Sequence, residues 1–147
     1  AWEASTAEAP SLGIRRCVIR TSPVLGNGGM LKRLLPLYRL GLGGPLGGGL
    51  QPFPWIQLDD EVKAIIHLLD TENQGAYNLI APVQNDMKTF ARALGALLHR
   101  PAFLPVPSIL VRMRFGQMGE EVLLSGQKAS ARRLQETGYV FKYPDLT

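Results

Sequence analysis

Residues 41 to 60, GLGGPLGGGLQPFPWIQLDD, are the stretch around which this chain is organised. The first half is too rich in glycine to form a regular element, because glycine gives up more backbone freedom on folding than any other residue. The second half sets Phe53, Trp55 and Ile56 beside prolines and runs into Asp59 and Asp60, ahead of the helical pattern Val62, Ile65, Ile66, Leu69. A free loop does not carry so much aromatic and aliphatic surface. The stretch therefore reads as a structured loop that walls a cleft, then a short strand or extended segment, then a capped helix. Asp59 and Asp60 are expected to cap that helix, where first-turn amides want a carboxylate; a paired acid and base is the alternative.

Before the loop, residues 2–8 read as a helix, Pro10 and Gly13 as a turn, and residues 14–21 as a strand. Cys17, Val18 and Ile19 form a continuous apolar run, the pattern of a parallel strand covered on both faces. Ser22-Pro23-Val24 then leaves the strand's carboxyl end, which is either an ordinary turn or, in an open α/β sheet, the place where ligands sit. Residues 30–40 follow in a helical pattern, with Pro36 expected in its first turn or kinking it.

After the loop, residues 75–80 read as a second strand. Asp86 caps an amphipathic helix with Phe90, Leu94, Leu97 and Leu98 inward and Lys88, Arg92 and Arg100 outward. A boundary near Pro101 separates residues 1–100 from 101–147, where short helices over 109–115, 120–124 and 131–136 precede an edge strand alternating at Tyr139, Phe141 and Tyr143.

Composition narrows the function. With 147 residues there is room for one domain with a real core, and 46% hydrophobic against 19% charged residues argues against disorder. The net charge of +4 is spread along the chain without a basic face or interleaved aromatics, so no nucleic-acid partner is expected. Cys17 is the single cysteine, which removes any internal disulfide or cysteine-based zinc site and fits an intracellular, cytoplasmic setting. No apolar run is long enough for a membrane span. No metal site is expected either.

The glycines do not make a phosphate cradle. A dinucleotide fingerprint from Gly26 needs glycine where Leu31 stands, and one from Gly41 needs it at Leu46. No Gly-Lys pair supports a Walker loop, and no nucleophile elbow or His-Glu metal motif occurs. His67 and His99, the two histidines, read as a helix-surface residue and a helix C-terminal residue.

Several runs carry a family resemblance. Trp2-Glu3, Arg20-Thr21-Ser22-Pro23-Val24-Leu25-Gly26, Arg39-Leu40-Gly41-Leu42-Gly43-Gly44-Pro45-Leu46-Gly47, Trp55-Ile56-Gln57-Leu58-Asp59-Asp60 and the tail motifs Leu123-Leu124-Ser125-Gly126-Gln127-Lys128 and Tyr143-Pro144-Asp145-Leu146 resemble the carboxyl-terminal half of epimerase-type atypical short-chain dehydrogenase/reductases of family 39. The resemblance implies an α/β fold: the C-terminal part of a Rossmann-like, extended short-chain dehydrogenase/reductase domain over 1–100, and a small, mostly helical module over 101–147. It implies NADP or NAD as cofactor in a parent enzyme acting on a small-molecule substrate, with a homo-oligomer left open. Family members place the nucleotide fingerprint and the active-site tyrosine upstream of the Trp-Glu pair, and no Tyr-x-x-x-Lys occurs here. Catalytic residues are therefore unassigned. Thr21, Ser22, Pro23 and Val24 are the cofactor-side candidates, Arg39, Gln51 and Trp55 the substrate-side ones, and Asp60 is structural. Ser22-Pro23 replaces the Gly-Val common in relatives, and proline removes a backbone donor; Gln57 replaces a frequent histidine and cannot carry a proton. The competing reading is a non-catalytic truncated relative that docks on a partner through a sheet edge or its tail module.

Overall fold

The computed structural model describes residues 2–118 and 126–146. The chain opens on two 3-10 segments, Trp2–Thr6 and Ala9–Leu12, rather than one helix. Pro10 lacks the amide a continuing helix needs, and Gly13, at φ 72°, closes the second segment. Strand β1, Cys17–Thr21, then pairs in parallel with β5, Gly75–Leu79, with Cys17 opposite Gly75 and Thr21 opposite Leu79. The expected covering of β1 on both faces is not found: Ile19, Arg20 and Thr21 are exposed. Among the described residues β1 has a neighbour on one side only.

Strand β2, Val24–Leu25, leads into helix α1, Gly29–Arg39, which buries Leu34 and Tyr38 one turn apart. Pro36 sits well inside α1, not in its first turn. It is tolerated because the carbonyl it deprives, that of Lys32, lies on an exposed residue and can be served by water.

The glycine-rich loop packs tightly. A Cβ on Gly44 would stand 1.8 Å from the Leu104 carbonyl oxygen, and one on Gly43 would stand 2.4 Å from the Tyr38 ring, so these glycines permit contacts no other residue allows. The Tyr38 hydroxyl donates to the Gly44 carbonyl at 2.9 Å, and Leu46 bridges in parallel to Val106. Strands β3, Pro52–Phe53, and β4, Ile56–Gln57, follow; β4 pairs with β2, and β3 pairs antiparallel with β6, Asn85–Asp86.

Helix α2, Leu58–Asp70, is capped by neither expected aspartate. The Gln57 side chain accepts from the Asp59 amide, and Asp60 is fully buried. Helix α3, Met87–Leu97, is capped as expected by Asp86, whose carboxylate accepts from the Thr89 amide at 2.7 Å; this bond holds its pKa below the usual carboxylate value. Phe90 and Leu94 face inward, whereas Leu97, expected inward, is exposed. Three residues beyond Leu94, it turns past the edge of the packed stripe.

Helix α4, Ser108–Met118, loses helical geometry at Gly116, and α5, Arg132–Gln135, ends near Gly138 at φ 86°. The helix expected over 120–124 lies outside the described residues. No edge strand forms over 139–143. The alternation is present, with Tyr139 buried and Val140 exposed, but the amides of Lys142 and Tyr143 bond a side chain instead of a strand.

Two cores result. One gathers Leu34, Tyr38, Leu46, Phe53, Trp55, Phe90 and Val111, with Phe53 and Phe90 rings 4.5 Å apart. The other gathers Ile56, Ala64, Leu68, Tyr77, Leu79, Leu134 and Tyr139. Residues beyond Pro101 thus contribute to both.

The Asp60 carboxylate joins the tail to α2. It accepts from the Tyr139 hydroxyl at 3.1 Å, the Lys142 amide at 2.9 Å and the Tyr143 amide at 2.8 Å. A buried charge is stable only when so satisfied. Asp60→Ala is expected to cost about 3 kcal/mol or more, read as a lowered urea midpoint, with tail amides becoming fast-exchanging. An unchanged midpoint would remove this role.

Candidate functional site

The carboxyl ends of the parallel pair β1 and β5 open into a cavity of about 310 Å³ lined by Arg20, Thr21, Ser22, Pro23, Pro54, Asn78, Ile80, Gln127 and Ala129. This volume is at the small end of ligand cavities, about 300–1,000 Å³. Parallel pairing places it there: strand side chains alternate, the chain must turn at the end of each strand, and the two turns leave a crevice.

Its polar groups are largely committed. The Ser22 amide and hydroxyl both donate to the Leu79 carbonyl, at 3.2 and 2.8 Å, and the Pro23 carbonyl accepts from Ile56. Arg20 pairs with Glu3 at 2.7 Å on the exposed side, a contact of small energetic weight. The Asn78 amide donates to the Ser130 carbonyl at 3.2 Å, tying the cavity to the segment before α5. With the Asn78 Nδ2 donor committed to Ser130, side-chain amide polarity at the cavity is left to the Asn78 Oδ1 and to Gln127.

Of the expected cofactor-side residues, Thr21, Ser22 and Pro23 meet at this cavity. Val24 does not; it pairs with Ile56 and packs against the second core. The expected substrate-side residues lie elsewhere and apart. Arg39 is exposed in the last turn of α1. Gln51 donates to the Leu46 carbonyl at 2.7 Å, holding the end of the glycine loop. Trp55 is 3% exposed, its indole donating to Asn85 Oδ1 at 3.1 Å and its carbonyl accepting from Ala81. It belongs to the first core, and its neighbour Pro54 lines the cavity.

The glycine loop does wall a cleft. A second, larger cavity of about 670 Å³ lies between α1, the loop and the proline-rich segment after Pro101, lined by Leu34, Leu37, Leu42, Leu46, Val106 and Val111, with Arg33 as its cation.

His67 is structural, its Nε2 lying 2.9 Å from the Thr137 hydroxyl. Among the described residues no cluster of acidic, histidine or cysteine side chains could hold a metal, and no helix is long and apolar enough to cross a membrane.

Glu61 was not legible in the sequence. It is 7% exposed, in the first turn of α2, where its Oε1 accepts from the Thr21 hydroxyl at 2.9 Å. Its Oε2 is buried without a partner among the described residues. Burial raises its pKa above the carboxylate value of 4.5, with the Thr21 bond acting in the opposite sense. The pattern of α2 marks position 61 as a solvated flank; only the end of β1, arriving beside it, buries it.

Residues 106–147 match a domain of unknown function, DUF1731. The chain is 44% identical over 148 residues to the bovine epimerase family protein SDR39U1, and 40% identical over 147 residues to an epimerase family protein of Staphylococcus saprophyticus. It covers the C-terminal half of SDR39U1-type epimerase family proteins. Specifically, 99% of the chain aligns with 50% of the bovine and 49% of the staphylococcal protein, so it spans about half the length of these curated relatives. Human SDR39U1 (isoform 2), crystallised with NADPH, superposes with a TM-score of 0.84 at 41% identity, covering 90% of this chain and 46% of that one. A Thermus thermophilus UDP-glucose 4-epimerase in complex with NAD superposes at 0.69 with 16% identity, a likeness of fold alone. The chain thus carries the C-terminal part of a Rossmann-like epimerase fold.

The raised pKa of Glu61 makes a signed forecast. The folded state holds this proton more tightly than the unfolded one, so stability should fall as pH rises from about 4.5 through the folded value. Glu61→Gln should lose that slope, matching the wild-type chain at pH 4 and exceeding it at pH 8 in urea melts. Parallel pH profiles would contradict it.

Proposed function

We propose that this chain forms the nicotinamide-side and substrate-side wall of an NADP(H)-dependent oxidoreductase resembling the nucleotide-sugar epimerases. The observation that supports it most is the cavity at the carboxyl ends of β1 and β5, where Thr21, Ser22 and Pro23 converge. The NADPH-bound human relative, 41% identical, makes the phosphorylated nicotinamide cofactor the fitting one.

When bound, the cofactor supplies hydride transfer at C4 of its nicotinamide ring. The chain's own residues fit the ring end as a shaped wall. Pro23 offers no amide and Ser22 has committed both its donors, so Thr21, Pro23, Pro54 and Ile80 would exclude water, and Asn78 Oδ1 and Gln127 would be the side-chain amide groups left to meet a carboxamide. Holding the ring in one orientation is the contribution of such a wall. The glycine loop and its apolar cavity would form the substrate side; Gln51 would act only by holding Leu46 of that loop, and Trp55 and Arg39 do not line the cavity. The segment 101–147 acts as a clamp on 1–100 through the Asp60 bonds and the Leu46 to Val106 bridge. No residue here cradles a pyrophosphate, and that function falls to the half of the relatives that this chain does not cover.

The test is cofactor affinity. The chain by itself should show no micromolar binding of NADPH by fluorescence titration. Fused behind the uncovered half of the bovine relative it should bind, and Ala129→Phe, which fills the cavity, should weaken binding at least tenfold while Leu50→Ala does not. Binding by the isolated chain, or indifference to Ala129→Phe, would refute the assignment.

A further inference from the structure

The larger cavity is lined by residues of α1, the glycine loop, the 104–107 segment and α4, and its chemistry is unlike that of the crevice at the ends of β1 and β5. Its volume of about 670 Å³ suits a whole small molecule, since ligand cavities span about 300–1,000 Å³. The floor is core: Leu34, Leu46 and Val111 are at most 2% exposed. The rim is not. Leu42, Leu104 and Met113 are 57%, 50% and 79% exposed, so aliphatic surface meets water around an apolar floor. Pro36, Pro105 and Pro107 stand in the wall and fix its backbone, which lessens the ordering a ligand must impose.

Backbone hydrogen-bonding groups in this lining are largely committed. The three prolines have no amide to give. The Leu42 amide donates to the Leu37 carbonyl, the Val106 amide to the Pro45 carbonyl and the Val111 amide to the Pro107 carbonyl, while the carbonyls of Val106 and Leu46 accept from the Gly47 amide and the Gln51 side chain. Arg33 is the one charged residue of the lining among the described residues, and it enters none of the ion pairs found among them.

The surrounding sequence withholds the usual counter-ion. Residues 26–58 and 87–118 supply every wall of the cavity and nearly all of the first core, and they hold half of the sixteen Lys and Arg residues but none of the twelve Asp and Glu. Charge that is spread along the sequence is therefore of one sign in this part of the fold, which favours an anionic ligand.

We propose that this cavity binds a monoanionic amphiphile, its aliphatic body seated on Leu34, Leu46 and Val111 and its carboxylate paired with the Arg33 guanidinium. A guanidinium takes a carboxylate through two parallel hydrogen bonds, and one cation calls for one negative charge. A nucleoside diphosphate sugar fits badly. It would bring two phosphates and a set of hydroxyls to a wall with a single charged donor, and polar groups left unmet on an apolar surface are costly. The inference rests on the reading of this cavity as the substrate side and deepens it by naming the substrate class, a carboxylate-bearing aliphatic molecule.

The probe is decanoate below its micellar concentration, titrated calorimetrically into the chain without NADPH. Saturable 1:1 binding is expected, at least tenfold tighter than that of decyltrimethylammonium, whose charge has the opposite sign, and UDP-glucose should give no heat. Arg33→Gln should weaken decanoate binding at least fivefold and leave that of decanol unchanged. Leu42→Trp, which crowds the rim, should weaken both at least tenfold. Both positions are exposed, so the melting temperature should hold, and Leu97→Trp on α3 serves as control with no effect. Absence of saturable binding, equal binding of the two surfactants, decanoate binding indifferent to either substitution, UDP-glucose binding that decanoate displaces, or a dimer of the chain dispersed by Leu42→Trp would each overturn the proposal. Decanoate binding by a chain whose fusion ignores NADPH would uphold this inference and sink the cofactor reading; NADPH affinity in the fusion without decanoate binding would do the reverse.

Discussion

The Asp60 carboxylate, fully buried at the start of α2, holds the Tyr139 hydroxyl and the amides of Lys142 and Tyr143, and the position of the tail depends on it. Its location in the first helical turn adds the favourable end of the helix dipole to three hydrogen bonds. The Tyr139 hydroxyl also donates to the Asp60 carbonyl at 2.9 Å, and burial together with this carboxylate raises the tyrosine pKa. Leu134 and Tyr139 pack in one core with Tyr77 and Leu79 of β5, and Gln127 and Ala129, earlier in the same segment, line the cavity. One buried charge thus links stability to the geometry of the candidate site.

The cavity itself shows how a rigid wall is made from a turn. Ser22 and Pro23 could have offered two donors to a ligand, yet one is a proline and the other bonds Leu79. What remains is shape, with amide groups supplied by Asn78 and Gln127 from other parts of the chain. The glycine loop works by the same logic at a larger scale. Gly43 and Gly44 lack side chains so that Tyr38 and Leu104 can close against the backbone, and Leu46 becomes the loop's anchor.

The molecule is well packed on the tail side of α2 and unsatisfied on the β1 side. The contrast is chemical as well as geometric: both carboxylate oxygens of Asp60 are engaged, whereas its neighbour Glu61 has one bonded oxygen and one without a partner among the described residues. A carboxylate left that way in a buried position raises its pKa and subtracts from stability at neutral pH. Such a cost is removed when a donor arrives.

The sequence by itself determined the α/β class, a parallel strand within residues 14–21, the Asp86 cap, the main periodic helices and the likeness to the C-terminal half of epimerase family proteins, because these depend on local periodicity, turn chemistry and motif spacing. It misplaced the cap of α2, since Asp59, Asp60 and Gln57 can all reach first-turn amides and only the arrival of the tail decides which one is drawn inward. It read residues 139–143 as a strand because alternation looks the same whether the backbone meets a strand or a buried carboxylate. Tertiary structure alone decided that Trp55 is buried with its indole bonded to Asn85, that Thr21, Ser22 and Pro23 share the cavity while Val24 does not, and that Glu61 is buried. Each of these depends on which distant segment packs against the residue, which neighbours along the chain do not encode.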